Sequence, residues 1–210
     1  MFLTQMQLDL NNRKTLIALA SPAKIHGEVE SAFTGSRKRN LWRVDSREGK
    51  KFLLILSEEK PDLTHAAAQL APHGEIWQTK DYNVLLEKIE DGSRWRFRLC
   101  ANPTYSIVEK NGERGRVCAH STSEHQLKWL LSRSEKHGFL LKPDEFNVTN
   151  VKWYRFKKGI SRNMVTFLAV TYEGILEVRD SELFRNALCC GIGRGKAYGA
   201  GLMTIVREKA

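Results

Sequence analysis

The spacing of hydrophobic positions predicts that the chain opens with a strand and a helical region. Residues 2–10 alternate between apolar and polar side chains, which is typical of a half-buried strand. In the helical region that follows, the second helix has Ser21 as a candidate cap, Pro22 at its first position, an apolar face that includes Ile25, and Gly35 at its end.

The next elements complete the first half of the chain. Residues 40–45 and 51–57 predict two strands around a polar turn, residues 62–70 predict an alanine-rich helix, and residues 77–86 predict a fourth strand. Strand, helix, strand, strand, helix, strand is the order of a ferredoxin-like domain.

The second half of the chain predicts the same order again. Its elements are a strand at 94–100, a helix at 123–136, strands at 148–156 and 164–172 around a basic turn, a helix at 180–190 and a strand at 202–206. We therefore predict an α+β fold with two tandem ferredoxin-like (βαββαβ) domains. The polar segment at 90–93 is a natural boundary, so we expect an N-terminal domain at 1–90 and a C-terminal domain at 91–210.

The charge of the chain favours a polyanionic partner. Lys and Arg number 34 against 24 Asp and Glu, which gives a formal charge of +10. Nucleic acid is the first candidate partner, and a generally basic surface is the alternative. No apolar stretch is long enough to span a membrane and the N-terminus has no signal-peptide pattern, so we expect a cytoplasmic protein without membrane contact.

Metal-binding and acidic catalytic patterns do not stand out. The four cysteines, at positions 100, 118, 189 and 190, have neither a disulfide framework nor zinc-site spacing. A metal-dependent nuclease or a small-molecule enzyme would need paired carboxylates, and no recognisable pair occurs among Asp62, Glu87, Glu90 and Asp91. We expect no metal and no cofactor.

Residues 191–201, GIGRGKAYGAG, form a glycine-rich loop that carries Arg194, Lys196 and Tyr198. Glycines let backbone amides approach a phosphate closely and the two cations add charge there, so an RNA backbone fits the loop. It is not a Walker A loop, because Ala197 stands where Ser or Thr is required. The alternative is a structural turn in which the glycines permit tight packing.

Three segments carry a family resemblance: KIHGE at 24–28, RWRFRLCANP at 94–103, and the loop with the residue after it at 191–202. On these the whole chain resembles the CRISPR-associated repeat-processing endoribonucleases of the CasE type, which belong to the repeat-associated RNA-processing superfamily. The resemblance implies tandem ferredoxin-like domains and metal-free cleavage at the base of a CRISPR repeat stem-loop RNA. It also implies that other Cascade subunits are partners.

His26 is the catalytic residue that the resemblance implies. Metal-free RNA cleavage uses the 2′-hydroxyl of the substrate as nucleophile, so the enzyme must align it and help to move protons. His26 lies about one turn into its helix, where the helix dipole favours a neutral imidazole. Its position leaves open whether it acts as base or acid, and a helix-surface histidine without a catalytic role is the alternative.

The sequence departs from the family pattern at Ala23, because the family has a tyrosine one helical turn before the histidine. Lys24 is our first candidate to stabilise charge in its place, and Tyr198 is another. The departure also keeps open a second function, a catalytically silent RNA-binding scaffold of the same architecture.

Three basic segments are the predicted RNA-binding surface, with stem shape and phosphates as the main determinants of recognition. Their residues are Arg37, Lys38 and Arg39 after the first helical region, Lys157, Lys158 and Arg162 in the hairpin turn, and Arg194, Lys196 and Tyr198 in the glycine-rich loop. A solvated charge run is the alternative for each cluster alone. We expect the five tryptophans to pack in the cores and assign none to RNA.

Overall fold

The structure, a computed structural model, describes residues 1–35, 38–74, 77–107, 115–157 and 164–208. Its strands are β1 (Phe2–Leu8), β2 (Leu41–Arg47), β3 (Lys50–Ser57), β4 (Gln78–Asp81), β5 (Arg94–Ala101), β6 (Thr104–Ile107), β7 (Arg116–Ala119), β8 (Phe139–Leu140), β9 (Phe146–Lys157), β10 (Met164–Val178) and β11 (Met203–Arg207). Its helices are α1 (Arg13–Ala20), α2 (Pro22–Ser31), α3 (Thr64–Leu70), α4 (Asn83–Leu86), α5 (Ser123–Ser134) and α6 (Ser181–Cys190), with 3-10 turns at Glu135–His137 and Lys196–Tyr198.

The first half forms an antiparallel sheet in the order β2-β3-β1-β4. Helices α1, α2 and α3 cover one face, where Met6, Leu53 and Ile55 are buried against Ile25 and Val29 of α2. The predicted order of elements is confirmed here. The fourth strand is shorter than predicted, because residues 83–86 turn into helix α4.

The second half repeats the arrangement in the order β11-β5-β10, with β9 paired to β10. Helices α5 and α6 cover the face on which Leu99, Tyr172 and Leu176 are buried. The predicted fold class, α+β with two ferredoxin-like domains, is confirmed. The sequence patterns did not predict the short strand β8 or the separate two-stranded ribbon of β6 and β7.

The two halves share one core. Leu41 and Leu56, on the face of the first sheet away from its helices, belong to the same buried cluster as Leu188 and Leu202 of the second half. Ile89, beside the expected boundary, is fully buried in that cluster. The division at residues 90 and 91 stays a prediction, since hydrophobic contacts continue across it.

Arg43 of β2 also joins the halves. Its side chain is 3% exposed, and it donates to both carboxylate oxygens of Asp45 at 2.7 Å. It also donates to the carbonyls of Arg98 and Leu202, at 2.8 and 2.9 Å, and to the Thr204 hydroxyl at 2.8 Å. Because Leu202 directly follows the glycine-rich loop, Arg43 holds the end of that loop against β2.

The tryptophans do not all pack in the cores. Trp42, Trp95 and Trp129 are buried as expected. Trp153 of β9 is 53% exposed, so the expectation is wrong for this residue. Within the described part of the chain, no helix is both long and apolar enough to cross a membrane.

Candidate active site and RNA interface

Helix α2 positions His26. Ser21 has an extended backbone and Pro22 occupies the first turn, so the chain enters the helix as the sequence predicted, although the Ser21 side chain makes no capping hydrogen bond. Ile25 is buried beneath the helix, which leaves the next residue, His26, on its flank with 23% of its side chain exposed. Its Nδ1 lies 3.9 Å from Oε1 of Glu30, one turn further along.

The side chain of His26 lines a pocket of about 310 Å³ between the two halves of the molecule. The pocket is lined by His26, Glu30, Lys38, Arg39, Asn40, Lys196 and Ala197. It therefore brings together helix α2, the segment that enters β2, and the glycine-rich loop. A histidine beside several cations is an arrangement that can move protons at a bound phosphodiester and stabilise its charge.

Lys196 is the loop residue that reaches this pocket. Its Nζ donates to the Gly193 carbonyl at 2.8 Å, and its stem lies close to Gly191 and Gly201, where a β-carbon would meet it. Burial, and then the positive charge of Arg39, lower the pKa of Lys196 below its usual value. A phosphate entering the pocket would relieve the repulsion between the two cations.

The other basic residues of the first cluster differ in their pairing. Lys38 lines the pocket but its Nζ lies 3.1 Å from a Glu58 carboxylate oxygen and 2.9 Å from one of Glu59. Arg39 is exposed on the pocket wall. Arg39 and Lys196 are therefore the better placed cations for an RNA phosphate, since Lys38 already faces two carboxylates.

The backbone conformation and close packing of the loop explain why two of its positions are glycine. Gly195 and Gly199 have φ angles of 85° and 81°, which L side chains rarely adopt. A β-carbon would lie 2.6 Å from the Phe167 ring at Gly195 and 2.7 Å from the Trp42 ring at Gly199. These contacts support a structural role for the two glycines, which permit tight packing. The cationic side chains of the loop, Arg194 and Lys196, remain available to a ligand.

Many backbone amides of the loop are already used within the protein. Those that donate to protein carbonyls belong to Gly191, Ile192, Tyr198, Gly199, Ala200 and Gly201. The predicted approach of loop amides to a phosphate is thereby restricted to positions 193 and 195–197, because the backbone of Arg194 pairs with that of Asn102, and it stays a prediction for them.

Tyr198 packs inside a small aromatic cluster. Its half-buried ring lies edge-on to Phe156 and Phe167, with centroids 5.0 and 5.7 Å away. Ala23 packs against the same cluster. Ring packing thus holds the loop against β9, β10 and α2, and a direct contact of Tyr198 with RNA stays a prediction.

Lys24 does not share the pocket of His26. It is exposed and lines a separate cavity of about 360 Å³ together with Lys14, Glu28 and Gln69. The prediction that Lys24 stabilises charge at the reacting phosphate is therefore not supported by its position, and Lys196 is the better candidate.

The remaining predicted RNA-binding residues lie elsewhere. Lys157 is exposed at the end of β9, and Arg194 is exposed and forms a backbone bridge to Asn102. Arg37, Lys158 and Arg162 lie outside the described residues. The structure thus brings His26, Lys38, Arg39 and Lys196 together and leaves the other described candidates outside their pocket.

Sequence reasoning missed Glu30 and Asn40, which line the same pocket as His26. The spacing of four residues between His26 and Glu30 on a predicted helix was the signal that would have found Glu30. For Asn40 no sequence signal existed. Within the described residues, no group of three or more His, Cys, Asp or Glu side chains is arranged to hold a metal ion.

The comparisons with known proteins agree with this fold. Residues 1–207 match the model of a family described as CRISPR associated protein. The CRISPR-associated endoribonuclease Cse3 of Thermus thermophilus is 30% identical over 222 residues, which cover 98% of this chain and 99% of that protein.

Two solved structures are similar over nearly the whole chain. The CRISPR endoribonuclease Cse3 bound to a 19-nucleotide RNA has a TM-score of 0.83 at 26% identity and covers 98% of this chain and 100% of its own. Thermus thermophilus Cse3 bound to an RNA representing a pre-cleavage complex has a TM-score of 0.80 at 26% identity, with 98% of each chain covered. With a family model matched over 1–207 and this relative aligned from end to end, the chain belongs to the CRISPR-associated protein family.

Proposed function

We propose that this protein is an endoribonuclease that cleaves CRISPR repeat stem-loops in precursor transcripts and then retains the stem of the mature guide RNA. The observation that carries the proposal is the pocket in which His26 meets Arg39 and Lys196. It occurs in a chain that aligns from end to end with a relative named as a CRISPR-associated endoribonuclease.

The chemistry needs no cofactor. The ribose 2′-oxygen attacks the adjacent phosphorus while the bond from phosphorus to the 5′-oxygen breaks, which leaves a 2′,3′-cyclic phosphate and a free 5′-hydroxyl. One proton leaves the attacking hydroxyl and one reaches the departing oxygen. We assign one of these transfers to His26, whose flank position on α2 exposes the ring to the pocket.

The cations of the pocket stabilise the transition state. Negative charge accumulates on the phosphorane oxygens, and preformed positive charge in a partly enclosed site lowers its energy more than water does. Lys196 is half-buried and Arg39 stands beside it, so both charges are in place before the RNA arrives. Lys196 thereby takes the role first predicted for Lys24.

Binding draws on the wider basic surface. The formal charge of +10 attracts the RNA backbone, and Arg194 and Lys157 extend positive charge beyond the pocket. We further propose, from the family, that the protein works in the cytoplasm as a subunit of Cascade. Retention of the stem would then anchor the guide RNA in that assembly.

A catalytically silent RNA-binding scaffold is the second candidate function. The observation that favours it is Ala23, which lies against the aromatic cluster where the family pattern has a tyrosine. The scaffold shares every binding prediction above and lacks only cleavage.

Cleavage in EDTA decides between the two. A labelled repeat stem-loop should be cut at one position in the presence of EDTA, and the product should carry a cyclic phosphate. A 2′-deoxy nucleotide just upstream of the scissile bond should abolish the cut, because the nucleophile is missing. Tight binding without a cut would establish the scaffold, and a cut that EDTA prevents would point to a metal-dependent nuclease.

A further inference from the structure

The hairpin arm is residues 152–157 of β9 with residues 164–169 of β10, and it extends beyond the rest of the second sheet. Strand β10 pairs with β5 only from Val170 to Glu177. Before Val170, β10 pairs only with β9 among the described residues. Each face of the arm can therefore either pack against the rest of the protein or stay open.

One face of the arm is packed. Tyr154, Phe156 and Phe167 lie on it, and with Ala200 and the Tyr198 ring they form the aromatic cluster against which Ala23 packs. This contact ties the arm to the glycine-rich loop and to helix α2, one turn before His26. The packed face explains why the arm has a fixed position beside the candidate active site.

The opposite face carries Trp153 and is open beyond Leu168, which is 1% exposed and belongs to the main buried cluster. Directly paired residues of antiparallel strands point to the same side of the sheet, and Trp153 pairs with Leu168, Arg155 with Thr166, and Lys157 with Met164. Trp153 is 53% exposed and Met164 is 47% exposed. Arg155, Lys157 and Thr166 are exposed as well.

The charge of the open face is entirely positive. The described residues of the arm include Lys152, Arg155 and Lys157 but no Asp or Glu. Lys152 lies 4.4 Å from the centre of the Tyr154 ring on the packed side, so it does not cover Trp153. An exposed indole flanked by unopposed cations matches the way proteins hold single-stranded nucleic acid, with a base on the aromatic ring and phosphates on the cations.

We propose that Trp153 stacks on an unpaired base next to the repeat stem, while Arg155 and Lys157 contact the neighbouring phosphates. This rests on the proposed function. Inside an A-form stem each base is covered by its neighbours, so a flat face is available only where a base is unpaired. The packed side of the arm touches Tyr198 and Ala23, which are close in the chain to Lys196 and His26, so such a base would lie across the hairpin from that contact. In this role Trp153 binds the RNA that flanks the stem directly and takes no part in the proton transfers.

Affinity measurements with three variants test the stacking. We would titrate a repeat stem-loop with single-stranded flanks, blocked by a 2′-deoxy nucleotide at the scissile position. Trp153→Tyr keeps an aromatic face and should bind within about threefold of wild type, whereas Trp153→Leu should weaken binding by about tenfold. Val206→Ala is the matched control, because Val206 is 69% exposed on the opposite face of the same sheet.

Abasic substitutions identify the base. Removing one flanking base should weaken wild-type binding by about tenfold and should cost Trp153→Leu almost nothing, since the contact is already gone. The salt dependence of Trp153→Leu should equal that of wild type, whereas Arg155→Gln with Lys157→Gln should flatten it. Thermal unfolding of each variant shows that the fold is intact.

The outcomes separate this inference from the proposed function. If wild type cleaves the repeat RNA but Trp153→Leu binds as tightly as Trp153→Tyr, or every abasic penalty is equal in both proteins, the stacking role is wrong and the cleavage assignment stands. If wild type neither binds nor cleaves the repeat RNA, the proposed function itself is wrong.

Discussion

His26 and Lys196 line the same pocket, although one belongs to the second helix and the other to the turn before the last strand. One supplies an imidazole and the other a partly desolvated ammonium group. Neither half of the chain forms this pocket alone, so the proposed cleavage would require the contact between the halves.

Replacing His26 should abolish cleavage without abolishing binding. Loss of one proton-transfer group typically lowers a rate by about 10²–10⁴-fold. His26→Ala should therefore reduce single-turnover cleavage to that extent and leave RNA affinity within about threefold. Lys24→Ala is the comparison, and because Lys24 lines a different cavity its cleavage rate should stay within about threefold of wild type. A large loss in Lys24→Ala with a small loss in His26→Ala would reverse our assignment.

The charge of Lys196 should make RNA binding sensitive to alkaline pH. Burial and Arg39 lower the pKa of Lys196 from lysine's usual 10.5, so its positive charge is lost at a lower pH than that of an exposed lysine. Affinity should consequently fall as pH rises toward 10.5. Lys196→Arg stays charged throughout this range and should lose less affinity. The ratio of the two dissociation constants, measured against pH, cancels changes in the RNA itself. If this ratio does not change with pH, Lys196 does not contribute its charge to RNA binding.

Arg43 should contribute strongly to stability. Its substitution by Met removes the donor to the carbonyls of Arg98 and Leu202 and leaves Asp45, which is 18% exposed, facing the more distant Arg98 Nη1 at 3.6 Å. Breaking a buried pair in this way typically costs about 3–5 kcal/mol. Arg47→Ala on the same strand is the control, because Arg47 is 75% exposed and 3.9 Å from Glu48, and it should change the free energy of unfolding very little. Urea unfolding monitored by fluorescence measures the free energy of unfolding of both variants. Equal losses would contradict the role of Arg43 in joining the two halves.

Two Gly→Ala substitutions should have opposite effects. At Gly199 the φ angle is 81° and a β-carbon would lie 2.7 Å from Trp42, so Gly199→Ala should destabilise the fold and displace the loop. At Gly27, inside α2, a β-carbon meets nothing within 4 Å, and Gly27→Ala should stabilise the protein by roughly 0.5–1 kcal/mol. Midpoints of thermal unfolding give the sign of each change. A neutral Gly199→Ala would mean that the loop has room for side chains.

Local patterns explain why the sequence predicted the elements well. The alternation at β1 and the apolar face of α2 are periodic, and periodicity depends only on neighbouring residues. The short β8 and the ribbon of β6 and β7 were not predicted, because a strand of two to four residues carries too little periodic signal. At β4 the predicted strand was too long, because the chain turns into α4 after Asp81.

By itself, the sequence determined the two βαββαβ series, the surplus of positive charge, and the position of His26 near the start of a helix. Only the tertiary structure decided that Lys196 rather than Lys24 shares the pocket of His26, and that the loop glycines pack against Phe167 and Trp42. It also decided that Trp153 is exposed while Trp42 is buried. The physical reason is that these properties depend on which surfaces of two distant segments meet when the sheets pack together, and no local pattern of side chains contains that information.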